Sequence, residues 1–334
     1  MADEAGRPKD VTSRDVALAL GVSQSMVSRA FDPAGRVAKA KRELILRTAA
    51  AMGYRPNVIA RSLSTRRSGI VAIVMGGMDN PFYAEVLDQM AATLDEAGYR
   101  SLLFRVPPGK DVDDQLPALR QYNVDALIVA SASISSRIAD EWQRDRRRVV
   151  LFNRTVRDQS VPSISCDNEA GAAALADLLV DRGHERIVYV AGPQHTSTNR
   201  EREAGFIRRL MERGASLAGR IETEAYSFQE GFRAAAEAMS VRPDAVFFAN
   251  DVLALGGMDR LRRDLGRAIP DDLSVVGFDD IPMSAWPSYD LTTIRQPIAD
   301  MVRLAAQAAT GSEDAPARQV VTGELVLRGS VRLA

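Results

Sequence analysis

Few side chains in this 334-residue sequence are suited to catalysis, and they do not gather. The one cysteine, Cys166, has His184 and His195 as candidate bases, but no third group is placed to orient either imidazole. A buried thiol packed as a small hydrophobe is the better reading. Gly76-Gly77 follows an apolar run and invites a phosphate loop, yet neither G-x-G-x-x-G nor G-x-x-x-x-G-K-[ST] accompanies it. Two histidines and one cysteine do not compose a metal site, and no cofactor is expected. What remains is recognition chemistry. Asp279 and Asp280 close an apolar strand, where carboxylates are poorly placed unless they face a cleft. Arg200, within Arg200-Glu-Arg-Glu203, reads by itself as a solvated surface charge. Its place after a strand ending at Ala191 and a loop of Gly192, Pro193 and polar residues favours the crevice instead. A carboxylate and a guanidinium facing one crevice suit a polyhydroxylated ligand, since each can bond two adjacent hydroxyls. Tyr226, Phe82 or Trp286 offers such a ligand an aromatic face, though each alone is more often core packing.

A second constellation lies near the start, in Asp15 to Phe31. Ala17 is small enough for a second helix to cross closely over the first, and Gly21 admits the positive φ of a tight turn. Ser23 is placed to cap the second helix. Val27 returns to a shared core with Val16, Leu20, Val22 and Phe31. The outer face then carries Gln24, Ser25, Met26, Ser28 and Arg29, hydrogen-bonding and flexible side chains of the kind that read base edges in a major groove. The plain alternative is an ordinary helical hairpin.

Charge distribution separates the two constellations. The formal net charge is −1, but residues 1–68 hold 13 Lys and Arg against 6 Asp and Glu, and the rest hold 30 against 38. A basic module joined to an acidic one implies that only the first touches a polyanion. The polar start has no apolar signal-peptide core, and no apolar run approaches the roughly 20 residues of a membrane span. With a single cysteine, these features predict a cytoplasmic protein that binds no membrane.

The elements that position these groups follow from periodicity. A third helix is expected from about Lys39 to Met52, with Leu44, Ile45, Thr48, Ala49 and Met52 on one face and Gly53 at its end. The basic segment Asn57–Ser68 reads as a tether or as a short helix too weak to hold alone. From Gly69 the pattern becomes α/β. The first series has strands at Ile70–Met75, Ser101–Val106, Ala126–Ala130 and Val149–Phe152, with helices at Phe82–Ala97 and around Asp113–Tyr122. The second has strands at Ile187–Ala191, Ala245–Ala249 and Ser274–Gly277, among helices at Asn168–Arg182, Asn199–Arg213, Gln229–Met239 and Val252–Leu265. A helix at Ile298–Ala309 and a final strand pair near Val320–Leu333 complete the chain. Two βα series predict two doubly wound lobes with a crevice at the carboxyl ends of their strands.

The ordered set of motifs resembles the lactose-repressor (LacI/GalR) family of bacterial regulators over about residues 11–332. It comprises Asp-Val-Ala…Gly-Val-Ser…Val-Ser-Arg, Arg-Pro-Asn before a leucine-containing hinge, Asn80-Pro-Phe82, Ala249-Asn-Asp251, Val276-Gly-Phe-Asp-Asp280 and Leu291-Thr-Thr-Ile-Arg-Gln-Pro297. The resemblance implies a helix-turn-helix domain at 9–56, a hinge at 57–68 and a two-lobed, periplasmic-binding-protein-like core at 69–334. Lobe 1 would take about 69–165 and 294–320, lobe 2 about 166–293 and 321–334. It implies base reading by Gln24, Ser25 and Arg29, hinge contacts at Asn57 and Ala60, and a minor-groove wedge at Leu63. In the core it implies effector contacts from Asn80, Phe82, Arg200, Tyr226, Asn250 and Asp279. Three departures stand out. Ala38 replaces the usual serine that opens the third helix, and Met26 stands where small or β-branched residues are usual. No leucine-heptad tail follows Leu333, so tetramer formation is not expected.

The resulting expectation is a DNA-binding transcriptional regulator and not an enzyme. It would repress from a near-palindromic double-stranded operator as a homodimer, under control of a small polyhydroxylated effector held between the lobes. A solute-binding protein whose basic headpiece does not read sequence is the alternative.

Overall fold

The computed structural model describes residues 11–333, apart from 33–34, 56–67, 77, 108–109, 111, 131–140, 143, 146, 156–160 and 312–315. The chain divides into two compact units between Ser68 and Gly69.

The small unit holds α1 (Ser13–Leu20), α2 (Gln24–Ala30) and α3 (Lys39–Ala51). A reciprocal capping box opens α1: the Thr12 hydroxyl accepts from the Asp15 N–H, and the Asp15 carboxylate accepts from the Thr12 N–H. Gly21, at φ 60°, ends α1 in the left-handed conformation that L side chains resist. Ser23 then caps α2 by accepting from the Met26 N–H. At Ala38 no side chain caps α3. The loop before α3 is tied down by Arg42, whose guanidinium donates to the carbonyls of Asp32 and Gly35.

Val16, Ala17, Val27, Ala30, Ile45 and Ala49 make the core of this unit, with Leu20, Val22, Phe31, Met52 and Tyr54 packed around them. Two expectations change. Leu44 is 47% exposed, because the buried stripe of α3 runs through Ile45 and Ala49 and Leu44 lies beside it. Met26 is half-buried against the core instead of standing free on the outer face, since the stripe that seats Val27 and Ala30 also takes in its side chain.

The large unit begins with β1 (Ile70–Met75), α4 (Pro81–Glu96), β2 (Arg100–Arg105), α5 (Val112–Leu119), a 3₁₀ turn at Arg120–Tyr122, β3 (Ala126–Ala130), β4 (Arg148–Phe152) and β5 (Ser163–Cys166). Then come α6 (Asn168–Asp181), β6 (Ile187–Ala191), α7 (Ser197–Glu212), β7 (Leu217–Glu222), α8 (Phe228–Ala238) and β8 (Ala245–Phe248). The last elements are α9 (Asp251–Asp259), β9 (Ser274–Val276), β10 (Thr293–Arg295), α10 (Ile298–Thr310), β11 (Arg318–Val321) and β12 (Glu324–Val326). Where one helix was expected over Val252–Leu265, the α-helix ends at Asp259 and a π-helical turn covers Arg260–Asp264.

Two parallel sheets result, one of six strands in the order β11-β5-β4-β3-β1-β2 and one of four in the order β7-β6-β8-β9. The core is a two-lobed α/β fold. Alternation explains why β1 is apolar throughout: Val71, Ile73 and Met75 enter one core layer, and Ala72 and Val74 the layer on the opposite face. β5 and β7 are short or interrupted by Gly219 and carry little apolar signal, so periodicity did not disclose them.

The expected strand pair near Val320–Leu333 does not form. β11 runs parallel to β5 in the six-stranded sheet, and β12 pairs antiparallel with β10. The chain therefore passes between the sheets three times: after β5, between β10 and α10, and after β11. No helix among the described residues is long and apolar enough to cross a membrane.

Candidate ligand cleft and nucleic-acid interface

A cavity of about 370 Å³ opens in the large unit where strands of both sheets end. Three helix N-termini border it, each following a strand and each capped by a residue that also lines the cavity. Asn80 caps α4 after β1, Thr196 caps α7 after β6, and Asn250 caps α9 after β8. The caps hold these side chains in place by accepting from Phe82, Asn199 and Leu253 N–H groups. The Asn-Pro-Phe motif is thus a helix start, with Asn80 as cap and Pro81 in the first turn.

Asn80, Phe82, Tyr226, Asn250 and Asp279 all line this one cavity. Arg200 does not. Its guanidinium turns to the surface and donates to the carbonyls of Gln194 and His195. The cationic side chain in the cavity is Arg202, which is 2% exposed. It donates from Nε to Asn168 Oδ1 (2.9 Å), from Nη1 to the Ala249 carbonyl (2.6 Å) and from Nη2 to Asp279 Oδ1 (3.0 Å). Its Cζ lies 3.8 Å from the centre of the Phe278 ring. The buried stripe of α7 runs Asn199, Arg202, Phe206 and Leu210, at helical spacing. Counting back from Phe206 and Leu210 is the signal that separates Arg202 from Arg200. Asp280, the other strand-end acid, is taken by Arg295 and Arg328 outside the cavity, and Trp286 is exposed and does not line it.

Asp279 sits at φ 130°, a backbone conformation that other packing must hold. Arg202, Gln296 and Asn80 donate to its carboxylate. Burial pushes its pKa above the ordinary carboxylate range, against the pull of Arg202 and these donors. Asp251 lies deeper and accepts from the Ser284 and Thr293 hydroxyls and the Ile281 N–H. Burial, with the Asp279 charge second, raises it to about 7. Tyr226 leans over Gly192, where a Cβ would overlap its ring, and its hydroxyl meets those of Thr196 and Thr198. Sequence reasoning also missed Asn153, Arg154 and Thr198, which line the cavity from loops and a helix start without any periodic signal. Cys166 is buried, and burial pushes its thiol up to about 12. Among the described residues no group of three His, Cys, Asp or Glu is arranged to hold a metal.

In the small unit, Gln24, Ser25, Ser28 and Arg29 are exposed on α2, while Met26 shows only part of its side chain. Gln24 Nε2 donates to Ser13 Oγ (2.9 Å), and Arg29 Nε to the Ser25 carbonyl (3.2 Å). Asn57, Ala60 and Leu63 lie outside the described residues.

Comparison with known proteins gives matching answers for both units. Residues 12–57 match the family of bacterial regulatory proteins of the lacI family, and residues 176–331 match the periplasmic binding protein-like domain. The chain is 31% identical over 329 residues to the HTH-type transcriptional regulator GalS of Salmonella typhimurium, covering 96% of each. It belongs to the LacI family.

Other LacI-family relatives agree. The regulator MalR of Streptomyces coelicolor is 31% identical, again over 96% of each chain. The lac repressor dimer bound to operator and the anti-inducer ONPF superimposes with a TM-score of 0.84 at 26% identity, covering 96% of this chain and 99% of that one. This LacI-family chain is a DNA-binding transcriptional regulator.

Proposed function

We propose that this regulator is a ligand-controlled repressor acting as a homodimer. Each subunit sets α2 into one major groove, reading bases through Gln24, Ser25, Ser28 and Arg29, with the exposed edge of Met26 at most an apolar contact. Two-fold symmetry of the dimer then calls for a near-palindromic operator. A polyhydroxylated effector occupies the cleft and shifts the balance between two arrangements of the core, releasing or tightening the DNA according to which arrangement it prefers.

The observation that carries the reading is the cleft lining. A buried Arg202–Asp279 pair is ringed by the amide caps Asn80 and Asn250 and the phenol Tyr226, a set of alternating donors and acceptors suited to vicinal hydroxyls. Phe82 and Tyr226 add apolar ring surface for a sugar face. The names of relatives point the same way: one, 29% identical, is a ribose operon repressor, and a structure at 27% identity with a TM-score of 0.70 is a regulator's cellobiose complex.

The test selects a preferred duplex from random DNA and compares Arg29→Ala on it and on unselected duplex. A bidentate base contact predicts a loss of about 1–3 kcal/mol on the selected site and far less on unselected DNA. Equal losses on both would make Arg29 a phosphate contact and remove it from base reading.

A further inference from the structure

The cleft holds two buried guanidinium groups, and they are not in equivalent states. Arg202 is neutralised by Asp279 at 3.0 Å. Arg154, 6% exposed, enters from the loop after β4, where Asn153 turns the chain at φ 55°. Its Nη1 donates to the Asn153 carbonyl (2.9 Å) and to Thr198 Oγ1 (3.0 Å). Among the described residues these neutral oxygens are its only hydrogen-bond partners, and no carboxylate pairs with it. A buried cation without a counter-charge is costly, and a ligand that supplied the anion would offset that cost.

From this we infer that the effector is a polyhydroxylated carboxylate, a sugar acid, whose carboxylate is seated on Arg154 while its hydroxyls meet the Arg202–Asp279 pair. The inference rests on the polyhydroxylated-effector reading above and adds the charge. A planar guanidinium with free edges matches a carboxylate in two parallel hydrogen bonds. A dianionic phosphate is the poorer fit. Among the described residues one guanidinium in the cleft lacks a carboxylate partner, which balances the single charge of a carboxylate but not the second charge of a phosphate.

The experiment titrates the full-length protein calorimetrically, at constant ionic strength, with matched pairs that differ only in the carboxylate. These are glucose with glucuronate and galactose with galacturonate, and glucose 6-phosphate serves as the phosphate arm. At least one acid is expected to bind about 10- to 100-fold more tightly than its neutral twin, the worth of a charge-assisted pair. Arg154→Gln should bring acid and neutral twin to near parity, the acid losing far more affinity than the twin, whereas Arg154→Lys should keep part of the preference. A purely structural role, with Arg154 holding Thr198, would weaken acid and neutral sugar alike and overturn the inference. It is overturned equally if no acid outbinds its twin, or if glucose 6-phosphate outbinds the uronates. Binding of neutral sugars alone would leave the polyhydroxylated-effector reading standing, so the two failures are distinguishable.

Discussion

Replacing Arg202 by methionine keeps most of the side-chain volume and removes the charge, so it isolates what the ion pair does for the fold. In the native cleft Arg202 satisfies Asp279, Asn168 and the Ala249 carbonyl at once, at 2% exposure. Without it, Asp279 keeps Gln296 and Asn80 as donors among the described residues while still 4% exposed. Stripping one partner from a buried pair costs about 3–5 kcal/mol, a large share of a typical stability of about 5–15 kcal/mol. For a unit of this size that is a fall in Tm of about 6–20 °C. Part of the penalty is relieved when Asp279 takes up a proton, so the loss should be smaller at pH 5 than at pH 8. Tryptophan fluorescence reads the transition cleanly, because both tryptophans, Trp142 and Trp286, lie in the large unit. Adding Asp279→Asn to Arg202→Met should recover part of the loss by removing the stranded charge. Arg200→Met is the control. It breaks only surface bonds to carbonyls, and its expected effect is within about 0.5 kcal/mol. If Arg202→Met melted within about 2 °C of the native protein, or Arg200→Met proved the more damaging, the assignment of the buried pair would be wrong.

Two further outcomes follow from the same network. Asp251, raised to about 7, keeps a proton in the fold that the unfolded chain releases near the ordinary carboxylate range. Stability therefore falls as pH rises from about 4 to about 7, by up to about 1.4 kcal/mol per unit. Asp251→Asn should flatten that slope in urea melts, and an unchanged slope would assign the pH dependence to other groups. Gly192→Ala should cost about 1–3 kcal/mol, because the new methyl displaces the Tyr226 ring. In a Tyr226→Ala background the same change should cost much less, and equal costs in the two backgrounds would show that the ring is not the obstacle.

Local chemistry made much of this protein legible before any tertiary contact was considered. Gly21 announces a left-handed turn because only glycine takes that φ without strain, and Ser23 announces a helix start because its oxygen suits the orphan N–H groups there. Continuous apolar runs such as Ile70–Met75 announce strands buried on both faces. Five residues that line the cavity are those the resemblance to the LacI family implies, and of these Asp279 is also marked by its place at the end of an apolar strand.

Tertiary structure decided which side chains meet, because that depends on how each element is rotated against neighbours distant in sequence. Arg200 and Arg202 are equivalent in composition, but the docking of α7 through Phe206 and Leu210 turns one to the surface and the other onto Asp279, 77 residues away. Arg154 meets Thr198 across 44 residues with no periodicity linking them. β11 joins β5 instead of its nearer neighbour β12, adding to the six-stranded sheet at an edge that is set by the packing of β3, β4 and β5 and that neither strand's own sequence marks.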